Sequence, residues 1–422
     1  MGSSLRGGDG GDVARTRLQW APGPESINTM KFVLAPDSFK ESMSATEAAA
    51  ALERGIRSVF PSAECVRVPM ADGGEGTVQA LTSASGGELV EAEVQDARGR
   101  LVQAAYGYVA AEQLAIIEIA ASAGIQLVAA ADRNARTAST FGVGQLITDA
   151  LDRGASRFVI GLGGSMTNDG GAGMLSALGA RLYDSDGRDL VDGGAALSGL
   201  AWMDLEGFDP RARSAVFEIA SDVANPLLGP DGATAVFGPQ KGADPQAVRD
   251  LEDALTVYAQ VLAEDSGRSV AELPGAGAAG GLGAAFLACF DSRLRRGVEV
   301  VMEAALLERR LVGADFVFTG EGTIDGQTLN GKTPLGVAEA AARHGVPVIA
   351  FAGRVGPGAE MLYDRGFAAL VPIVQEVSDL PSALTDGPAN LERAAATVCR
   401  VLALGRAAGV ARGAQAGWAT GA

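Results

Sequence analysis

The sequence predicts an α/β protein of two domains built on largely parallel sheets. Short apolar runs alternate with helical stretches along most of the chain, the pattern of strand–helix–strand units. Glycine and polar clusters follow nearly every apolar run, where parallel sheets place their ligands. The length of 422 residues exceeds what one hydrophobic core usually organises. Glycine, at 58 residues, is about twice its usual share of roughly 7%.

Charge and composition narrow the function. The formal net charge of −17 repels nucleic-acid backbones and anionic membranes, so neither is an expected partner. No apolar run approaches the roughly 18 residues of a membrane helix. An anionic substrate must therefore be held by local N–H groups and a few well-placed cations. Cys65, Cys289 and Cys399 have no paired spacing, which points to reduced thiols and a cytoplasmic location. His344 is the only histidine, which rules out a multi-histidine metal site. It falls at the predicted end of a helix, so acid–base work passes to carboxylates and lysines.

Taken in order, residues 1–29 are rich in Gly, Arg and Ser and lack the apolar core of a signal peptide, which reads as a disordered extension. Lys31-Phe32-Val33-Leu34-Ala35-Pro36 reads as the first strand and delivers Asp37, Ser38 and Lys40. Ser44-Ala45-Thr46-Glu47 is a capping box for a helix over about 45–58. Cys65-Val66-Arg67-Val68-Pro69-Met70 delivers Asp72, Gly73, Gly74 and Glu75. Alternation over about 92–112 predicts an antiparallel hairpin and entry into an inserted domain.

Further on, Arg157-Phe158-Val159-Ile160 reads as a buried strand running into Gly161–Met174, which carries Gly163, Gly164, Ser165, Thr167, Asn168 and Asp169. A strand that ends in such a turn and opens a helix offers N–H groups to an anion, and the stretch reads as a phosphate cradle. Ala215–Ala220 delivers Ser221 and Asp222, and a long amphipathic helix spans about 245–265. Phe316–Thr319 delivers Glu321 and Asp325, and Val346–Phe351 delivers Arg354. Residues 407–422 read as a frayed tail.

Two motif matches have the wrong surroundings. Gly275-Ala276-Gly277-Ala278-Ala279-Gly280 fits the dinucleotide pattern G-x-G-x-x-G, but no strand precedes it. Gly326–Thr333 fits the Walker A pattern, but a strand ending at Thr319 leaves six residues before its first glycine. Lys332 remains a candidate to meet phosphate without that fold.

Five stretches in order, Ala35–Lys40, Met70–Thr77, Gly163–Gly171, Phe237-Gly238-Pro239-Gln240-Lys241-Gly242 and Thr319–Gly322, resemble the bacterial class of glycerate kinases, over about 30–405. The resemblance implies ATP-dependent phosphorylation of D-glycerate, with 2-phosphoglycerate the usual product. It also implies a discontinuous α/β domain, placed at 30–91 and 285–406, and an inserted flavodoxin-like domain at 92–284, with the active site in the cleft between them. Three positions depart from the family pattern: Thr323 replaces a usual arginine, whose phosphate contact is then lost or supplied by Arg354, Met166 a usual alanine, and Gln145 a common glutamate.

Phosphoryl transfer needs an N–H cradle, a Mg²⁺ site, a cation and a base near the accepting hydroxyl. Gly163, Gly164, Ser165 and Asn168 are assigned to ATP, with Gly277, Gly280 and Lys332. Asp222 is the expected base, because it ends an apolar strand with no other carboxylate at its tip. Glu321 and Asp325 are the metal candidates. Lys40, Asp37, Ser38, Asp72 and Glu75 are assigned to glycerate or the transferred group. Asp72, Glu75 and Asp169 are interchangeable with those named, or cap loops. A kinase for another small hydroxy acid, an NAD-dependent oxidoreductase and a non-catalytic phosphometabolite-binding protein are the competing readings. A monomer and a homodimer both stay open.

Overall fold

The computed structural model describes residues 30–419 apart from Glu75 and Gly331. The expected extension over 1–29 and the candidate Glu75 lie outside the described residues. The strands are β1 (Lys31–Leu34), β2 (Glu64–Arg67), β3 (Glu88–Gln95), β4 (Leu101–Val109), β5 (Leu114–Glu118), β6 (Arg157–Gly161), β7 (Arg181–Tyr183), β8 (Trp202–Asp204), β9 (Val216–Ala220), β10 (Asp291–Arg295), β11 (Phe316–Ile324), β12 (Val348–Val355) and β13 (Phe367–Pro372).

One sheet has five parallel strands in the order β13-β12-β11-β1-β2. It joins the two ends of the chain through Phe32 opposite Phe316 and Val33 opposite Val317. These strands read as unbroken apolar runs because both faces of the sheet are covered. Phe32, Val33, Leu34, Val317 and Phe318 are fully buried. The second sheet has six strands in the order β10-β9-β6-β5-β4-β3, parallel from β10 to β5 and antiparallel in the β3–β4 hairpin and its join to β5. A small β7–β8 pair stands apart.

The two-domain α/β class with largely parallel sheets agrees with the expectation, while its details shift. Read from its β2 edge, the five-stranded sheet has the order 2-1-3-4-5 that defines the flavodoxin arrangement. The flavodoxin-like order therefore belongs to the discontinuous sheet, and the inserted sheet lays its strands in chain order. The inserted sheet also starts at Glu88 and ends at Arg295, beyond the expected limits of 92 and 284, and position 285 falls inside the helix Ala278–Cys289. Asp291-Ser292-Arg293-Leu294-Arg295 is an edge strand, and its polar composition, usual for edges, hides it from a search for apolar runs. At the other end the helix Gly387–Ala419 continues past 406, where a frayed tail was expected. Its alanines favour helix strongly enough to carry the backbone through Gly405 and Gly409.

The capping box forms as expected. Glu47 N donates to Ser44 Oγ at 3.2 Å, and Ser44 N to Glu47 Oε2 at 2.9 Å, opening the helix Ala45–Arg57. The apolar layer between the two sheets contains the helices Thr77–Ala84, Gly297–Ala304 and Thr333–Arg343. There Val33 and Val317 of the first sheet, Val78, Leu81, Val298 and Leu335 of the helices, and Ile116 and Val159 of the second sheet form one continuous core. The carboxyl ends of both sheets consequently open onto a common cleft.

Candidate active site

The order of the five-stranded sheet reverses between β1 and β11, and a ligand crevice forms at such a switch point. Asp37 leaves β1 there, with its N–H donating to Gly320 O at 2.8 Å. Its Oδ1 accepts from Ser38 N at 2.6 Å and its Oδ2 from Thr333 Oγ1 at 2.5 Å. β11 runs on to Ile324, so only Asp325 separates it from Gly326. The six-residue gap expected before the Walker-pattern segment is absent, because Gly320 and Gly322 continue the strand beside β12 instead of ending it. The helix Thr333–Arg343 follows, with Lys332 as its N-cap residue.

Glu321, also on β11, accepts from Thr328 Oγ1 at 3.0 Å and lies 3.8 Å from Lys332 Nζ. Asp325 Oδ1 accepts from Gln327 N at 2.9 Å and so fixes the turn. Burial pushes the Asp37 carboxyl up to about 7, and the Asp72 charge adds to the rise. Burial likewise pushes Glu321 up to about 7, against the pull of Lys332. Asp222, at the end of β9, is raised to about 6 by crowding from protein and by Asp72. Asp72 thus stands among three carboxyls, each lifted out of its ordinary range. Lys40 is exposed beside Gly322, and Ser38 is half-buried.

The second wall is built by close backbone approach. A Cβ on Gly73, whose φ is +91°, would come within 2.7 Å of Ala220 O, and one on Gly163 within 2.7 Å of Gly74 Cα. Gly163 N donates to Gly73 O at 3.4 Å, joining the glycine loop after β6 to the loop that follows β2. Ser165 and Asn168 also turn inward. Lys241, 1% exposed, donates from Nζ to Ser165 Oγ at 2.8 Å and to Thr167 O at 2.6 Å, and Asn168 Nδ2 donates to Thr234 Oγ1 at 3.0 Å. Burial pushes the Lys241 ammonium down to about 7, while Asp169 opposes the shift. Asp169 is itself fully buried and accepts from Thr140 N, Thr140 Oγ1, Gly171 N and Gly173 N at 2.7–3.2 Å. Gly277 and Gly280 lie close to the backbones of Pro226 and Thr167, where a Cβ would come within 2.1 and 2.0 Å of the respective carbonyl oxygens.

The comparisons with known proteins decide the family. Residues 32–403 match the family described as "Glycerate kinase family". The chain belongs to the glycerate kinase family. It is 47% identical over 375 residues to a glycerate kinase of Halalkalibacterium halodurans, covering 89% of this chain and 98% of the relative. A glycerate 2-kinase of Escherichia coli K12 is 43% identical over 376 residues, covering 89% and 99%. A crystal structure described as that of a glycerate kinase 2 from Salmonella typhimurium LT2 superposes with a TM-score of 0.82 at 46% identity, over 90% of this chain and all of that one.

As a member of that family the chain is a kinase enzyme, and the positions at which it departs from the usual pattern acquire surroundings. Thr323 pairs in register with Arg354 across β11 and β12, so an arginine stands one strand away from the position it usually fills. Gln145 accepts from Gln95 N at 2.8 Å and secures the β3 edge. Met166 is buried in a small cluster with Ala97, Val128 and Ala138. Lys241 carries no local signal of its role: it sits in the Phe237–Gly242 motif, and only the fold sets its ammonium against Ser165 and Thr167.

Proposed function

We propose that this enzyme transfers the terminal phosphoryl group of ATP, with Mg²⁺, to D-glycerate, giving 2-phosphoglycerate. The observation that carries the reading is the bond from Thr333 Oγ1 to Asp37 Oδ2 at 2.5 Å, made across neighbouring elements at the switch point. A hydroxyl at the start of a helix, coupled to an aspartate at a strand end, is the pairing that P-loop enzymes use around a metal and its phosphates. Lys332, next in the chain, supplies a cation for phosphate oxygens.

Asp37, Glu321 and Asp72 together suit Mg²⁺, since the Asp72 charge raises both of the others and Glu321 also raises Asp37, and a divalent cation relieves that repulsion. No three acidic, histidine or cysteine side chains among the described residues converge tightly enough to hold an ion alone. Phosphate oxygens and water fill the remaining positions of a Mg²⁺ held by one or two carboxylates. When bound, the ion neutralises charge on the transferring group. Lys332 and Lys40 draw the phosphate oxygens, and Asp222 takes the proton from the accepting hydroxyl. A base with a pKa of about 6 is deprotonated at neutral pH yet still basic enough to help.

An oxidoreductase finds less support. Gly275–Gly280 follows no strand and packs internally, so no pyrophosphate turn is present there. Free cysteines at 65, 289 and 399 suit the reducing cytoplasm, where we place the reaction. Phosphorus NMR of purified protein with ATP, Mg²⁺ and D-glycerate tests the reading: a new phosphomonoester resonance, coupled to a single carbinol proton, is expected for the 2-phosphate. Coupling to two protons would move the product to the 3-phosphate, and no ATP consumption with D-glycerate would overturn the substrate.

A further inference from the structure

A nucleotide whose phosphates sit at Lys332 and Thr333 must also seat a flat, largely apolar base close by, because a single ribose joins the two. The surroundings of that segment differ from side to side. Toward β1 they are acidic, with Asp37 bonded to Thr333 and Glu321 3.8 Å from Lys332 Nζ. Toward the second sheet, a cavity of about 340 Å³ beside Asp222 is lined by Ser221, Asp222, Ala224 and Leu294 among others. That volume lies at the small end of the roughly 300–1,000 Å³ typical of ligand sites, and suits a short acceptor rather than an acceptor and a purine together.

On the β12 side the chain folds back over the start of the same segment. Gly356 N donates to Ile324 O at 2.7 Å, and Gly326 N donates to Pro357 O at 3.0 Å. Gly358, with φ of +81°, then turns the chain into the short helix Ala359–Arg365. Ala359 and Leu362 of this helix are buried in the core between the sheets, which fixes its position. Met361, between them, is 48% exposed. Its Cε lies against both glycines: a Cβ built on Gly326 would be 3.7 Å from it, and one on Gly358 3.3 Å. A lone exposed apolar residue is ordinary on a protein surface. This one is set against the first glycine of the segment that meets phosphate, on a backbone bonded to that segment. An unbranched, polarisable thioether also adapts well to the face or edge of an aromatic ring.

We propose that Met361 seats the purine base of the phosphoryl donor, with the ribose passing over Gly326 to the phosphates at Lys332 and Thr333. The inference rests on the kinase reading and makes the donor a nucleoside triphosphate rather than a bare polyphosphate. Loss of a sulfur–aromatic contact of this kind costs about 3- to 10-fold in affinity.

Calorimetric titration of magnesium ATP and of magnesium tripolyphosphate into wild type, Met361→Ser, Met361→Leu and Lys332→Met tests it. Met361→Ser is expected to weaken ATP about 3- to 10-fold and to leave tripolyphosphate within twofold. Met361→Leu keeps an apolar surface and is expected to bind ATP within twofold of wild type. Lys332→Met is expected to weaken both ligands alike, since both present phosphate. An ATP affinity within twofold of wild type in Met361→Ser, or an equal loss of tripolyphosphate in that variant, overturns the assignment while leaving the kinase reading intact. Phosphorus NMR with D-glycerate keeps the two ideas apart. If wild type phosphorylates no D-glycerate, yet binds ATP and loses only ATP affinity in Met361→Ser, the kinase reading falls and the base seat stands. No binding of ATP by wild type sinks the seat.

Discussion

At the carboxyl end of the five-stranded sheet, burial drives Asp37 and Glu321 up to about 7; behind the glycine loop of the six-stranded sheet, burial drives Lys241 down to about 7. The same force acts in opposite directions on opposite charges, and the two regions answer it differently. Around Lys241 and Asp169 every buried charge has hydrogen-bond partners from its own domain, with Ser165, Thr167 and Thr140 among them. Around Asp37, Glu321 and Asp72, acids outnumber the one lysine within ion-pair distance of Glu321. A closed network supports structure, whereas a surplus of like charge is relieved only by something that binds. Two polar, glycine-rich regions that look alike in sequence thus serve different ends.

Asp222→Asn is the sharpest way to probe the cleft side. Turnover should fall about 10²- to 10⁴-fold with the thermal unfolding curve unchanged, and near-normal turnover would remove Asp222 as the base. Lys241→Met probes the closed side. It strands Thr167 O and the Asp169 charge, so unfolding free energy should drop by about 1–3 kcal/mol, measured by denaturant titration. If stability were unaffected and only ATP binding suffered, the contrast between the two regions would collapse.

Proton linkage separates them next. Between the ordinary carboxylate value near 4 and about 7, the folded protein keeps protons on Asp37 and Glu321 that the unfolded chain has released. Stability contributed by these groups is therefore fully present below about pH 4 and declines as pH rises to about 7. Thermal melts of ligand-free protein should show a falling midpoint across that window, and Asp37→Asn should flatten the slope. Turnover should run the other way, rising through about pH 6 as Asp222 loses its proton. A smaller effect is expected at the strand pair that carries the family departure. Arg354→Ala should raise KM for ATP by about 3- to 10-fold, the worth of one exposed charge-assisted contact, and adding Thr323→Arg should restore it. No change in either variant would detach both positions from the phosphate.

The strand tips were legible because burial on both faces forces apolar runs, and the polar residues that follow them stand out. Asp37, Asp72, Asp222 and Glu321 were all found by that contrast. The Ser44–Glu47 box was equally visible, since it depends on a fixed local spacing. What stayed hidden was settled over distance. Whether Ser165 faces a ligand or a lysine depends on Lys241, far along the chain. Similarly, Gly320 and Gly322 look like a break in β11, and only pairing with β12 makes them strand. The strand Asp291–Arg295 is concealed by its charge, so the cavity beside Asp222 takes shape only once the sheet is assembled.

The helices Thr77–Ala84 and Thr333–Arg343 both pack against Gly297–Ala304, and all three share the core between the two sheets. Swinging the sheets apart like jaws would bring Val78, Leu81, Val298 and Val301 into water, at about 25 cal/mol for each Å² exposed. Sliding of packed helices by small displacements avoids that penalty, so shear rather than hinging is the natural motion of this cleft. Such sliding would shift Lys332, at the start of Thr333–Arg343, relative to Asp222, whose Oδ1 accepts from Gly297 N at the start of the neighbouring helix.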